Sequence, residues 1–284
     1  MIGTLRWIHL DENGDMLDKI LSNPLVGLSP WIVYSIVEGE DRLEIAAILA
    51  LVTALTVVVL GVVRGSKPKA LEFSDVAYFG ILAVVIAFAS QGTLDWLELW
   101  GGELANTALV VFVLGSIIIR RPFTLAYAKE SAPPEEWDNP HFLRANYIIT
   151  WAWAIAFGIE ALSGLYGDAV LDDSNNIWTG WVIQTLPLII AAQFTIWYPQ
   201  RLEALGARAQ GEDVRVPPIA EMYAQLAPWL TVIGAIVFIT GDAPQWLGFV
   251  FIAFGVVLTR IFTRQAKDEA GSGGDGPAPA PAGG

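Results

Sequence analysis

Long apolar runs alternate with short polar segments along most of this chain. A helix needs about 20 apolar residues to cross the roughly 30 Å hydrocarbon core of a bilayer. Seven runs meet or approach that length, and they occupy residues 43–63, 72–90, 104–119, 142–165, 178–197, 222–240 and 247–262. The sequence therefore predicts an all-α fold, a polytopic membrane helical bundle.

An eighth apolar segment precedes these runs. Residues 24–37 read PLVGLSPWIVYSIV, which is short for a span and contains Pro30. We expect either a tilted span or a helix that only dips into the membrane. The prediction is thus about eight spans within residues 24–264. Residues 1–23 are expected to form a cytoplasmic N-terminal segment, and residues 265–284, rich in Gly, Pro and Ala, a disordered tail.

The basic residues predict how the spans are oriented. Lys and Arg are enriched in cytoplasmic loops. If eight segments cross and both termini are cytoplasmic, all 16 basic residues except Arg42 lie in cytoplasmic pieces, while acids collect outside. The sequence therefore predicts a multi-pass protein of the cell inner (plasma) membrane with both termini in the cytoplasm.

Residues 72–262 also suggest helical-hairpin repeats. The inner loops 120–144 and 200–218 each begin as a basic extension of the preceding span, and each contains a Pro pair. Each loop leads into a helix with a tyrosine near its start, Tyr147 and Tyr223. We interpret this part of the chain as three hairpins of common origin.

Composition and motifs argue against several classes of function. A net charge of −13 disfavours nucleic-acid binding, which needs a basic surface. The chain has no Cys and only two His, which are not spaced as metal ligands. Nucleotide-binding and hydrolase motifs do not occur. We expect no nucleic-acid partner, no cofactor, no metal and no enzymatic activity; the expected partners are membrane lipids and proteins bound at the cytoplasmic loops.

Polar side chains within the spans are candidate functional residues, because each is costly to place in hydrocarbon. Glu160 is the only acid well inside a predicted span. It could be a wet interfacial carboxylate, a proton- or cation-linked site, or one half of a buried pair. Gln184 and Gln193 flank Pro187, where a kink could open a substrate pathway. For these glutamines, as for Asn146, the other interpretation is hydrogen bonding between helices.

One loop carries a recognisable pattern. Residues 121–127 read RPFTLAY and are followed by Trp137, Pro140, Asn146 and Trp151. This pattern resembles uncharacterised bacterial inner-membrane families related to the intracellular septation protein A group, in which a basic–Pro–aromatic motif ends one span. The resemblance implies a helical inner-membrane protein with a role in envelope maintenance and no assigned reaction.

The chemistry of the same motif predicts a membrane anchor. Arg120 and Arg121 stand where a helix leaves the hydrocarbon, and each can reach a lipid phosphate. Pro122 then interrupts the helix, after which Phe123 and Tyr127 are expected to return to the membrane interface. A lipid-headgroup or partner site is the alternative interpretation of Arg120, Arg121 and Pro122.

Two functions of different class remain open. The first is a structural or interaction protein of the inner membrane, acting in envelope maintenance. It should have a packed bundle with its polar residues in helix contacts. The second is a small-molecule, proton-linked or lipid transporter, which should have a polar intramembrane site around Glu160, Gln184 or Gln193.

Overall fold

The computed structural model of the protein describes residues 23–39, 41–171, 176–241 and 243–272. All regular secondary structure in these ranges is helical, so the predicted all-α fold is confirmed. The chain divides into two compact units, of which the first ends at Ala161 and the second begins at Leu162.

The helices are numbered in chain order. They are α1 (Pro24–Gly27), α2 (Ser29–Val37), α3 (Leu43–Val63), α4 (Ala70–Phe88), α5 (Gln91–Ile118), α6 (Thr124–Ser131), α7 (Pro140–Ala169), α8 (Ile183–Ala209), α9 (Ile219–Thr240) and α10 (Gln245–Ser272). A 3₁₀ turn, Pro134–Glu136, precedes α7, and a π-helical segment, Ile177–Val182, leads directly into α8. Among the described residues, seven helices are long and apolar enough to cross a membrane: α3, α4, α5, α7, the π-helical segment joined to α8, α9 and α10.

Most of the predicted spans are helices in the structure, but they begin or end at residues other than the predicted ones. α3 has the predicted bounds. α5 instead begins at Gln91, because Ser90 adopts the extended backbone of an N-cap and its carbonyl accepts from the amide of Leu94 at 3.0 Å. α10 continues past the predicted boundary at residue 264 to Ser272. Residues 1–22 and 273–284 lie outside the described residues.

The segment 24–37 is helical but too short to be counted with the seven long helices. α1 has 4 residues and α2 has 9. Even as one rod with Leu28, the segment would rise about 21 Å at 1.5 Å per residue, short of the roughly 30 Å core. Trp31 and Tyr34 of α2 are buried within the first unit. The segment is therefore a pair of short helices, and two of its aromatic side chains are buried inside the first unit.

Three helices end in one motif at positions predicted to be cytoplasmic. In α5, the amide of Arg120 donates to Ile117 O at 3.0 Å and that of Arg121 to Ser116 O at 2.9 Å, the pattern of a Schellman cap. α3 and α8 end in the same way, with Gly65 and Gly211 in the left-handed conformation. Arg120 adopts that conformation with φ of 60°. An arginine thus stands where the other two caps have glycine.

In the second unit, α9 and α10 form a tightly packed hairpin. A Cβ atom on Gly234 would lie 2.7 Å from Gly248 O, and one on Gly248 would lie 2.8 Å from Gly234 O. The two backbones therefore meet with no side chain between them, as small residues allow in membrane helices. At one end of the hairpin, Ile177, Val237 and Ala243 form a small buried core.

Candidate functional site

Charged residues are buried at the beginning of α4, in the first unit. Lys69 takes the N-cap position, and Glu72 and Asp75 follow at a spacing of three residues. Residues three apart lie on the same helix face, and here that face points into the protein. All three are buried, and Asp75 is only 1% exposed.

The ammonium group of Lys69 is shared by two carboxylates. Lys69 Nζ lies 3.1 Å from Glu72 Oε1 and 3.1 Å from Glu130 Oε2. The Lys69 amide also donates to Glu72 Oε2 at 3.0 Å, which satisfies an amide at the helix start. Glu130, on α6, is 26% exposed at its side chain and therefore connects this group to the surface.

Asp75 is held differently. Its Oδ1 accepts a 2.6 Å hydrogen bond from Nε1 of Trp31, which lies on α2. The Trp31 ring packs on Tyr78 and Phe79, with centroids 4.8 and 4.9 Å away. Among the described residues, Asp75 has no ion pair. A buried carboxyl group thus relies on one neutral donor.

Tyr127, on α6, packs against this group of buried charged residues. Its ring lies 4.7 Å from Lys69 Nζ, and its hydroxyl is buried with no hydrogen-bond partner in the described part of the chain. Burial, reinforced by Glu72 and Asp75, raises the pKa of the Tyr127 phenol above its ordinary value of 10. The ring packs tightly against Gly27, where a Cβ atom would collide with the phenol oxygen.

Glu160 is buried in the C-terminal third of α7 rather than exposed at the end of this helix. The side chain is 7% exposed, and Oε2 has no hydrogen-bond partner among the described residues. α7 continues to Ala169, so the acid lies well inside the helix. Glu38 and Glu103 are near enough to interact with it electrostatically. The structure therefore does not show the wet carboxylate that the sequence also allowed.

α2 extends between Asp75 and Glu160, two of the buried acids of the first unit. Trp31, near its start, contacts Asp75. Glu38 follows its last residue and approaches α5, where a Cβ atom on Gly102 would lie 2.6 Å from Glu38 Oε1. Since Glu38 also interacts with Glu160, this short helix has one buried acid near each end.

The segment 121–127, RPFTLAY, packs into the first unit through hydrogen bonds of Thr124. Thr124 Oγ1 lies 2.9 Å from Thr150 Oγ1 and donates to Asn146 O at 3.1 Å. The Asn146 side chain in turn donates to Phe142 O at 2.9 Å within its own helix. The Asn146 amide group therefore bonds along its own helix, and the contact with α6 is made by its backbone carbonyl.

The two arginines and the aromatics of this motif separate. Arg120 and Arg121 are exposed, whereas Pro122 is buried. The expectation that Phe123 and Tyr127 return to the membrane interface is wrong, because both are buried inside the protein. Of these arginines and aromatics, only Arg120 and Arg121 are exposed and able to contact a lipid headgroup or a protein partner.

Gln184 and Gln193, predicted to lie on a substrate pathway, line neither of two grooves on the described part of the chain. Gln184 and Gln193 are half-buried on α8 in the second unit. One of these grooves is lined by residues of α3, namely Val52, Leu55, Thr56, Val59 and Leu60. The other lies between α9 and α10 and is lined by Pro228, Thr231, Val232, Val256, Thr259 and Arg260. The described residues include no group of three or more acids and histidines able to hold a metal ion.

Sequence reasoning missed Lys69, Asp75, Trp31 and Tyr127. The predicted span started at residue 72, so Glu72 and Asp75 counted as residues at its wet end. Their spacing of three residues at the beginning of an apolar run was the available signal, since it places both acids on one face.

Comparison with known proteins gives no relative from which a role could be transferred. No protein-family model matches the chain, and no curated protein and no solved structure matches it. The seven long apolar helices of the described residues make it an integral, multi-pass membrane protein.

Proposed function

We propose that this membrane protein is a proton-linked transporter in which Glu160 carries the proton. The observation behind the proposal is a buried carboxyl group on a membrane-spanning helix whose Oε2 has no hydrogen-bond partner among the described residues. Ionisable groups inside membrane helices mark proton relays and ion pathways because their burial is otherwise unfavourable. The acids Glu38 and Glu103 lie near enough to interact with Glu160 electrostatically, and they place further negative charge in the same part of the first unit.

Proton movement across reconstituted vesicles tests this proposal. Purified protein is placed in liposomes containing a pH-sensitive dye, and a potassium diffusion potential drives protons inward. Wild-type protein should acidify the lumen, and Glu160→Gln should lower the rate to that of protein-free vesicles. Glu98→Gln is the matched control, because Glu98 is an exposed acid on α5. Wild-type vesicles that stay at the protein-free rate contradict the proposal.

A second candidate is a structural or interaction role in envelope maintenance, as the family resemblance implies. The observation in its favour is that Thr124, Asn146 and Thr150 anchor the 120–124 segment while Arg120 and Arg121 face outward. Such a surface suits acidic lipid headgroups or a protein partner on the proposed cytoplasmic side.

Complementation of a deletion strain separates the two candidates. If the role is structural, Arg121→Glu should fail to restore resistance to envelope stress while Glu160→Gln restores it. If the role is proton-linked transport, the two variants should behave in the opposite way. Membrane abundance of both variants must equal that of wild type for the comparison to hold.

A further inference from the structure

We infer that Asp75 is a second proton-binding group on the same route as Glu160, reached from the surface through Glu130, Lys69 and Glu72. The inference rests on the proposed proton-linked function and extends it to the other end of the first unit. Asp75 would be a site separate from Glu160, and the position of Glu160 inside a membrane helix does not by itself point to it.

The first step is access from water. Glu130 keeps 26% of its side chain exposed, and its Oε2 is 3.1 Å from Lys69 Nζ. The same ammonium group lies 3.1 Å from Glu72 Oε1. Glu72 stands one helical turn before Asp75 on the same face of α4. Polar contacts thus lead from the surface inward to Glu72, and the next carboxyl group on the same helix face, Asp75, is 1% exposed.

The second step concerns what surrounds Asp75. From α2 it receives only the Trp31 indole, a neutral donor. α6 contributes Tyr127, whose ring lies 4.7 Å from Lys69 Nζ and whose hydroxyl is buried without a partner in the described residues, and also Glu130. Its own helix and the cap before it contribute Glu72 and Lys69, which pair with each other.

α3, which packs on α2 and α4, adds no charge to this neighbourhood. Its buried face consists of Leu43, Ala46, Ala47, Ala50, Ala54 and Gly61, and its acid, Glu44, is exposed. Lys69 is therefore the cation nearest to Asp75 in these contacts, and two other carboxylates already share it. The arrangement leaves Asp75 Oδ2 as the atom that takes the proton, while Oδ1 keeps the Trp31 hydrogen bond.

The third step is the connection to Glu160. Trp31 belongs to α2, and the helix leads from Asp75 toward Glu38. The Tyr78 ring packs on Trp31 with centroids 4.8 Å apart. The Tyr34 hydroxyl and Glu38 Oε1 lie against neighbouring glycines of α5, at residues 101 and 102. Glu38 in turn interacts with Glu160. A proton that leaves Asp75 thus has hydroxyl and carboxyl groups along the way to the second acid.

Infrared difference spectroscopy of the purified full-length protein tests the inference directly. A pH change in H₂O and in D₂O should reveal the carbonyl band of a buried carboxylic acid that disappears in Asp75→Asn and persists in Glu98→Gln. Trp31→Phe should shift that band, because it removes the donor to Oδ1. This second variant keeps the carboxyl group and serves if Asp75→Asn does not fold.

The liposome assay completes the test. Asp75→Asn should lower proton flux to the protein-free rate, as Glu160→Gln does. Wild-type flux in Asp75→Asn, or a carbonyl band unchanged in both Asp75→Asn and Trp31→Phe, would overturn the inference and leave the proposed function intact. Wild-type flux in Glu160→Gln would instead overturn the proposed function and, with it, the assignment of Asp75 as a second proton-binding group.

Discussion

The Trp31 indole and the Asp75 carboxyl group meet at 2.6 Å although 44 residues separate them in the sequence. The contact fastens α2, the short helix, to α4, a membrane-spanning helix. Because both groups are buried, a water molecule cannot take the place of a missing hydrogen-bond partner. Loss of one partner therefore leaves the second with an unmet hydrogen-bonding requirement.

We expect Trp31→Phe to destabilise the protein by about 1–3 kcal/mol, the cost of leaving a buried polar group without its partner. Thermal unfolding in detergent measures the change. In an Asp75→Leu background the same substitution should cost clearly less, because the acceptor is already absent. Equal losses in both backgrounds would show that the hydrogen bond does not contribute.

Tyr127→Phe should leave stability unchanged or raise it at neutral pH, since it removes a buried hydroxyl without a partner among the described residues. The folded pKa of Tyr127 is raised above the unfolded value of 10, so the phenol stays protonated when the unfolded chain ionises. Its contribution to stability is complete below pH 10 and falls above it. Melting temperatures from pH 8 to 11 should therefore drop less in Tyr127→Phe than in wild type, whereas Tyr223→Phe, at a site with 41% exposure, should follow wild type.

Gly248→Ala should destabilise the α9–α10 hairpin by about 1–3 kcal/mol, as overpacking of a tight contact does. The added Cβ atom would lie 2.8 Å from Gly234 O and 2.9 Å from Phe238 Cβ. Gly206→Ala is the control, because no atom lies within 4 Å of its Cβ position and alanine favours a helix. Thermal unfolding should move in opposite directions for the two variants.

Arg120→Gly should raise stability by up to about 1 kcal/mol, because glycine adopts the left-handed conformation without the steric cost paid by other residues. Arg121→Gly makes the same change of composition at the next residue, which is not in that conformation, and should give no gain. Denaturation midpoints of the two variants compare them. A gain for Arg121→Gly alone would contradict the role assigned to the cap.

Single cysteines on this cysteine-free chain test the proposed orientation. Ser90→Cys lies between α4 and α5 and should react with an impermeant maleimide in intact cells. Lys67→Cys and Glu212→Cys lie at the opposite helix ends and should react only after the membrane is opened. The reverse pattern would contradict cytoplasmic placement of the basic loops.

Helix class and most span positions could be predicted because they depend on apolar length alone. Residues 43–63 were assigned correctly, since both ends change abruptly from apolar to polar. The start of α5 was not, because Asp95, Glu98 and Glu103 lowered the hydropathy of a segment that is nevertheless helical. Hydropathy measures suitability for lipid and not the tendency to form a helix.

The candidate site was predicted only in part, because burial of a polar group depends on residues distant in the sequence. Glu160 was found, since an acid within an apolar run is visible in the sequence. Asp75 was not, because its burial depends on Trp31, which lies 44 residues earlier in the sequence on another helix. The burial of Phe123 likewise required α6 to fold back against the bundle.

The glycine contact between α9 and α10 has a mechanical consequence. With carbonyl oxygens and amides of one helix directly against those of the other, a lengthwise slide would drive Phe238 or Ile252 into the opposing backbone. The pair must therefore travel as a single stiff rod. The register between the two helices is therefore fixed by backbone contact and does not depend on side-chain interlocking.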